Sequence, residues 1–334
     1  MTPKENHEQA PLATSNSVPK TTMSMSTYLS ATKEQQEAIA AVKDKFKMVA
    51  LDLDGTLLSN NHQLSTEQAA YLRHLHDNGI TICFATGRSI PSVYEHITTL
   101  NLPVPLPVVC SNGSRGLHCK PNNVIVEDLF SDPVPLDIVQ RAIAVSNRHG
   151  YCVQLYYENS IYANQKTESH YNLTGQYTSL TGSAIQHVDD DFQRFLHSDH
   201  KLPSKILILF DEQQCSTAFD VYKREYDNGD ATIVGGSFDW FLEILNSDVT
   251  KGHGLQKMCR RLDVPIEKCI AFGDGANDQE FLQMAGLGIV MKNAKESIQQ
   301  YGDVVTEYTN HELGVMKTLQ QLEQANLLDL SSSA

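Results

Sequence analysis

From Phe46 onward, short apolar runs alternate with stretches whose apolar positions recur every three or four residues, the pattern of strands alternating with amphipathic helices. FKMVALDL reads as a strand buried on both faces. Ser65 and Gln68 form a capping box that starts a helix through about Asn78, and Gly79 ends it. ITICFA is a second strand, a helix follows over about Ser89–Leu100, and PVVC is a third strand. After about Ser131 the texture changes. A helix over Leu136–Arg148, stopped by Gly150, precedes the strands YCVQLYY and IYAN, which the turn Glu158-Asn159-Ser160 joins. Helical stretches are expected near Thr167–Ser179 and Asp190–Leu196, then the strand KILILF, a helix over Gln214–Asp227, and the strands ATIVGG and WFLEIL. Beyond Ser247 the first texture resumes with a helix over Gly254–Leu262, the strand CIAFG, a helix over Asp278–Met284, the strand LGIVM, a helix near Ala294–Tyr301 and a last helix over Glu312–Gln324.

Strand–helix alternation predicts an α/β fold, a Rossmann-like, doubly wound, mainly parallel sheet. It is built from two separated stretches, 46–130 and 246–327. Strands separated by tight turns predict that residues 131–245 form an inserted α+β domain with an antiparallel sheet and helices on one face. Residues 1–45 read as a disordered tail, up to about Tyr28, and a lead-in helix over Ala31–Lys45. Residues 328–334 read as a disordered C-terminus.

Charge narrows the partners. The chain carries 40 Asp and Glu against 26 Lys and Arg, a net charge of −14, which argues against sequence-independent nucleic-acid binding. The segment 1–46 is charge-balanced, so the whole excess lies in the folded part. No run of about 18 apolar residues predicts a membrane span, and the N-terminus lacks the apolar stretch of a signal peptide and the Arg of a transit peptide. The seven cysteines are odd in number and include no C-x-x-C pair, so neither a disulfide framework nor a zinc site is indicated. A cytoplasmic, reduced protein is expected, working as a monomer or small homo-oligomer.

The chemistry gathers at strand ends. Strand FKMVALDL ends in Asp52, Leu53, Asp54, Gly55 and Thr56. Residues two apart on a strand point the same way, so two carboxylates are expected to emerge together where open α/β sheets bind ligands. Like charges that close resist joint ionisation unless a cation lies between them, and Mg2+, a hard ion with oxygen ligands, is the natural partner. A second acidic group, Gly273-Asp274-Gly275-Ala276-Asn277-Asp278, follows CIAFG and supplies the other half of a metal site. Thr86-Gly87-Arg88 closes ITICFA at the start of a helix, where free N–H groups and the Thr86 hydroxyl suit a phosphate oxygen. Lys251 stands where the α/β texture resumes. Asp52, Asp54, Asp274 and Asp278 would repel a phosphate dianion unless both Mg2+ and Lys251 were present.

The ordered motifs DLDGT, ATGR, a Lys after a long insertion, and GDGAND resemble the haloacid dehalogenase-like superfamily of phosphohydrolases. The insertion is similar to the cap of the Cof-type subfamily, as is the ending GIVMKNAKESIQQYGDVVT with its following helix. The resemblance covers about Phe46 to Leu322. It implies Asp52 as the nucleophile that forms an aspartyl-phosphate and Asp54 as general acid and then base. Mg2+ would be held by the Asp52 and Asp274 carboxylates and the Asp54 carbonyl, with Asp278 behind them or acting through water. Thr86, Gly87, Lys251 and Asn277 would bind the phosphoryl group, and Arg88, Asn112 and Gly113 would face the substrate, a small phosphorylated metabolite such as a sugar phosphate or a nucleotide-like or cofactor-like phosphate. Phe281, where the family often has Met, and Ser114, where it often has Ala, are expected to bear on substrate fit. The alternatives are a phosphomutase of the phosphomannomutase type, against which Thr86 in ATGR speaks, and a non-catalytic metabolite-binding protein, against which the intact acidic set speaks. In the inserted region Tyr156, Tyr157, Glu158, His170 and Trp240 are the candidates for setting specificity.

Overall fold

The computed structural model describes residues 22–40, 44–196, 202–235 and 239–330. Its main sheet has nine strands in the order Met23–Ser24, Val304–Val305, Leu287–Val290, Cys269–Gly273, Met48–Leu51, Thr81–Ala85, Leu106–Cys110, Arg115–Lys120 and Val124–Ser131. The first seven run parallel, and the last two join through antiparallel pairs, so that only Arg115–Lys120 runs opposite to the rest. Strand Met48–Leu51 is buried at every position because helices cover both faces. Val49 and Leu51 pack with the helices Thr66–Asp77, Tyr94–Leu100 and Gly314–Gln324, while Met48 and Ala50 pack with Lys251–Arg261 and Gln279–Met284. The chain winds outward from Met48–Leu51 in one direction and returns at Cys269–Gly273 to wind in the other. These two strands are direct neighbours, with Leu51 opposite Phe272. Their carboxyl ends are therefore the topological switch point, where such sheets leave a crevice.

A second, six-stranded sheet is formed by Ala231–Gly235, Phe241–Asn246, Lys205–Leu209, Cys152–Tyr157, Ser160–Ala163 and Ile185–His187, in that order. All pairs are antiparallel except the last. The helices were expected on one face. Instead Leu136–His149 and Cys215–Glu225 pack with Val153, Leu155, Ile206 and Ile208, while Glu168–Thr181 packs on the opposite face with Tyr156, Leu207 and Leu209. Strand Lys205–Leu209 is apolar on both sides, which signals cover on both.

Three further departures have physical causes. The hairpin Arg115–Lys120/Val124–Ser131 escapes the sequence pattern because its second strand is largely exposed and alternates poorly, although Asn122 and Asn123 take the left-handed turn conformation that Asn tolerates. The helix expected near Asp190–Leu196 is only the 3-10 turn Gln193–Phe195. Residues before Tyr28 were read as disordered for their polarity, and residues 1–21 lie outside the described residues. Met23–Ser24 nevertheless pairs with Val304–Val305, and helix Met25–Ser30, capped by Ser24, buries Met25 and Tyr28. Two large side chains suffice to anchor a segment that is otherwise polar. At the other end Leu328 bridges to Phe46 and is buried; residues 331–334 lie outside the described residues. Deleting residues 1–30 is therefore expected to cost about 3 kcal/mol or more of stability, the order of two buried side chains, with the catalytic rate unchanged below the transition. An unaltered thermal midpoint would show that this packing contributes nothing.

Candidate active site

Two strand ends build the centre. After Leu51 the backbone leaves the sheet in a wide turn, with Leu57 N–H donating to the Asp52 carbonyl and Leu58 N–H to the Leu53 carbonyl. Gly55 sits at φ +77°, where a Cβ would also lie 2.2 Å from Asp274 Oδ2, so only glycine lets the two loops meet. Thr56 Oγ1 donates to Asp274 Oδ1 at 2.9 Å, and Asn293 Nδ2 donates to the Gly55 carbonyl at 2.8 Å. Oxygens of Asp52, Asp274 and Asp278 lie within 4.8 Å of one another, so carboxylates more than 200 residues apart in sequence share one small volume.

Lys251 reaches this volume through close packing. It is the first residue of helix Lys251–Arg261, whose N-cap Thr250 accepts from His253 N–H. Glycines in a first helical turn cost stability, but here a Cβ on Gly254 would lie 2.6 Å from the Gly113 Cα, so the helix could not otherwise approach the sheet. The Lys251 side chain is fully buried. Its Nζ donates to Asp52 Oδ1 at 2.7 Å and to Asp278 Oδ1 at 2.5 Å, above the Phe281 ring at 5.7 Å. Phe281 thus supports Lys251 and does not shape substrate fit as expected. Asp278 Oδ2 accepts from the N–H groups of Asp274 and Gly275, so Asp278 ties its loop to Lys251 from behind the other two carboxylates.

The electrostatics follow. Burial pushes the Asp52 carboxyl well above the usual range; Lys251 opposes this, and Asp278 and Asp274 add to it. Burial and the Asp278 charge push Asp274 up to about 7. Burial works against the Lys251 charge, but the Asp278 and Asp52 carboxylates outweigh it and push its pKa up. Three carboxylates against one ammonium leave two negative charges in a buried site, the charge of one divalent cation, and all free ligand atoms are hard oxygens. The residues fit Mg2+, which Asp52 and Asp274 would hold.

Asp54 takes different partners from Asp52. Arg88 grips it with Nε at 2.6 Å from Oδ2 and Nη2 at 2.5 Å from Oδ1, and His62 Nδ1 lies 2.7 Å from Oδ1. Burial would raise the Asp54 pKa, but the hydrogen bonds and charges of Arg88 and His62 prevail and hold it below the usual range. Arg88, expected to face substrate, is thereby committed to Asp54. Thr86 is buried at the end of its strand, and its Oγ1 accepts from Arg88 N–H at 3.1 Å, leaving the hydroxyl proton free. Asn112, at φ +54°, is also buried. Its Oδ1 accepts from Asn277 Nδ2 at 2.8 Å and its Nδ2 donates to Glu243 Oε2 at 2.6 Å, so it bridges protein groups and is not open to substrate. Gly113, also expected to face substrate, abuts the Thr250 carbonyl and serves close packing. Among the specificity candidates, Trp240 packs edge-on with Tyr177 and Phe241, Tyr157 stacks on Phe195, and His170 bonds the Gly150 carbonyl; Tyr156 lies under Lys205, and the Glu158 carbonyl accepts from Arg115 Nη1 of the main sheet at 3.1 Å. Sequence reasoning missed His62, Asn293, Lys205 and Glu243. A lone His in a polar turn and single charges within strands carry no local signal of a site.

A haloacid dehalogenase-like hydrolase profile matches residues 49–319, and the chain belongs to that family. It is 26% identical over 316 residues to the phosphatase YwpJ of Bacillus subtilis, covering 83% of this chain and 99% of that one. It is 27% identical over 284 residues to the 5-amino-6-(5-phospho-D-ribitylamino)uracil phosphatase YitU of the same organism, covering 82% and 96%. A haloacid dehalogenase-like hydrolase from Bacteroides thetaiotaomicron superposes with a TM-score of 0.70 at 22% identity, covering 83% of this chain and all of that one, a likeness of fold. The chain is thus an enzyme of the phosphoric monoester hydrolase class. Among the described residues no helix is long and apolar enough to cross a membrane.

Proposed function

We propose that this protein is a Mg2+-dependent phosphatase that hydrolyses a small phosphorylated metabolite, a sugar phosphate or a nucleotide-like or cofactor-like phosphate, through an aspartyl-phosphate. The observation that carries the reading is the convergence of Asp52, Asp274 and Asp278 on one small volume at the switch point of the sheet, with Lys251 paired to Asp52 and Asp278. The phosphorylated ribityl compound in the name of YitU supports the substrate class.

An Asp52 oxygen attacks phosphorus as the bond to the leaving oxygen breaks, and Asp54 gives that oxygen its proton. Water then attacks the phosphorus of the aspartyl-phosphate, Asp54 takes the water proton, and phosphate leaves with Asp52 restored. Arg88 and His62 hold Asp54 in the ionised form that the second step needs, so Asp54 must leave Arg88 and take a proton before it acts as the acid of the first. Lys251 and the Thr86 hydroxyl bind phosphoryl oxygens, and Asn277 completes the cradle. Held by Asp52 and Asp274, Mg2+ would supply charge screening between the nucleophile and the phosphate dianion and would stabilise a loose transition state. Residues 131–245, as a cap, exclude bulk water from the site until substrate is held.

Turnover of p-nitrophenyl phosphate is expected to vanish in EDTA and to return with Mg2+; persistent turnover without metal would refute the site. Thermal unfolding gives a second readout. Between the ordinary value of 3.8 and its folded value of about 7, Asp274 keeps a proton in the folded, metal-free protein that the unfolded chain has lost. Stability of the metal-free protein therefore falls as pH rises across that window. Mg2+ replaces the proton, so its stabilising effect is expected to be larger at pH 7.5 than at pH 5. Equal shifts at both pH values would contradict the assignment.

A further inference from the structure

A buried ion pair joins the two sheets at the edge of the site. Lys205 begins a central strand of the six-stranded sheet and Glu243 lies on its neighbour. Their side chains are 1% and 8% exposed, and Lys205 Nζ donates to Glu243 Oε1 at 2.6 Å. Burying two charges is costly, and apolar residues of similar volume would cover the same face at less expense. The pair nevertheless does something apolar residues cannot, because each member also holds a polar group of the main sheet's loops. Lys205 Nζ donates to the Gly87 carbonyl at 2.9 Å, and Glu243 Oε2 accepts from Asn112 Nδ2 at 2.6 Å. The Tyr156 ring, 4.6 Å from Lys205 Nζ, faces the ammonium on a further side.

Both held groups lead to a phosphate-binding side chain. The Gly87 carbonyl and the Arg88 N–H are opposite ends of one planar peptide, and that N–H donates to Thr86 Oγ1 at 3.1 Å. Fixing the carbonyl end thus sets the N–H end, which occupies a Thr86 lone pair and turns the hydroxyl proton outward. The Asn112 amide is likewise held at one end by Glu243, and its other end accepts from Asn277 Nδ2 at 2.8 Å. The two arms of the cradle, Thr86 on one strand end and Asn277 on the loop of Asp274, are therefore oriented from the same ion pair.

We propose that Lys205 and Glu243 are positioning residues of the phosphoryl-transfer site, aligning Thr86 through the Gly87–Arg88 peptide and Asn277 through the Asn112 amide. The proposal rests on the phosphatase reading above. Its consequence is independent of the leaving group: transfer requires the inserted segment to be docked, whatever ester is bound, because docking completes the alignment of the phosphate donors.

The test uses the full-length protein with Mg2+ and the double variant Lys205→Met/Glu243→Leu, which removes both charges together and leaves neither one buried alone. Lys205→Arg, which keeps a cation, serves as the conservative partner. Turnover of acetyl phosphate and of p-nitrophenyl phosphate, orthovanadate binding by calorimetry and the thermal midpoint are measured for each. The expected result is a fall in kcat by a common factor of about tenfold or more for both substrates, the scale of small misplacements in a reacting site. Orthovanadate binding weakens comparably, the thermal midpoint stays within a few degrees, and Lys205→Arg recovers part of the loss. Retained turnover of acetyl phosphate with loss confined to the bulkier ester would overturn the proposal in favour of direct contact with the leaving group. Unchanged orthovanadate affinity, or a loss of activity that merely follows a lowered midpoint, would overturn it as well. Orthovanadate binding needs no turnover. If the wild-type protein hydrolyses neither ester but its variants bind orthovanadate more weakly, the phosphatase reading alone fails; wild-type protein that binds no orthovanadate sinks both.

Discussion

Asp52→Asn is expected to reduce turnover by about 10⁵-fold, the scale seen when an attacking group is removed from a site that acts as a unit, and to leave the fold intact. The amide is nearly isosteric with the carboxylate but cannot attack phosphorus. The effect on stability is expected to be small because two contributions oppose each other. Lys251 loses one of its two carboxylate partners, while Asp274 and Asp278 lose a like charge that they crowd in the native protein. A thermal midpoint equal to or above that of the wild type, with turnover of p-nitrophenyl phosphate at background, is the combined signature. A variant rate within tenfold of wild type would exclude Asp52 as the nucleophile.

Lys251→Met reverses this balance. The wild-type ammonium is fully buried between Asp52 and Asp278, and removing it leaves the carboxylates facing one another in a low-dielectric pocket. Breaking a buried pair by deleting one partner costs about 3–5 kcal/mol, and turnover falls as well because a phosphoryl ligand is lost. The deficit has a pH signature with a definite sign. Protonation neutralises the crowded carboxylates, so the loss of stability relative to wild type should be greatest near neutral pH and shrink toward pH 4. Adding Asp278→Asn to the variant should recover part of the midpoint by removing one of the stranded charges. If Lys251→Met unfolds at the wild-type temperature across this range, the ammonium is not the counter-charge of the cluster.

Much of this arrangement is legible in the chain before any folding. Strand Met48–Leu51 and its parallel neighbours are apolar without interruption, and that texture marks them as covered on both faces. Asp52, Asp54, Asp274 and Asp278 announce themselves by standing at or just after the ends of such runs, where burial of their charge needs partners. The helix that carries Lys251 begins there, capped by Thr250, three residues before the start that its apolar pattern marks. Elsewhere local pattern is silent. Hairpin Arg115–Lys120/Val124–Ser131 alternates too weakly to read, and Met23–Ser24 is too short to stand out, being held mainly through Met25 and Tyr28 further along. Arg88, Asn112 and Gly113 meet Asp54, Glu243 and the Thr250 carbonyl, since a motif shows which loop a residue occupies and not which neighbour claims its contacts.

Residue pattern alone thus marked most of the strands and helices that carry the site, and where along the chain acids follow apolar runs, because periodicity and capping act over a few neighbours. Long-range contact decided the rest: that Asp274 meets Asp52, that Asp278 turns to Lys251, that Arg88 and His62 close on Asp54, and that Lys205 and Glu243 reach Gly87 and Asn112 from another sheet. Apart from His62 and Asp54, these pairings span tens to hundreds of residues. They exist because parallel strand order at a switch point brings distant carboxyl ends into one crevice, and because buried charges must find partners wherever the folded backbone carries them.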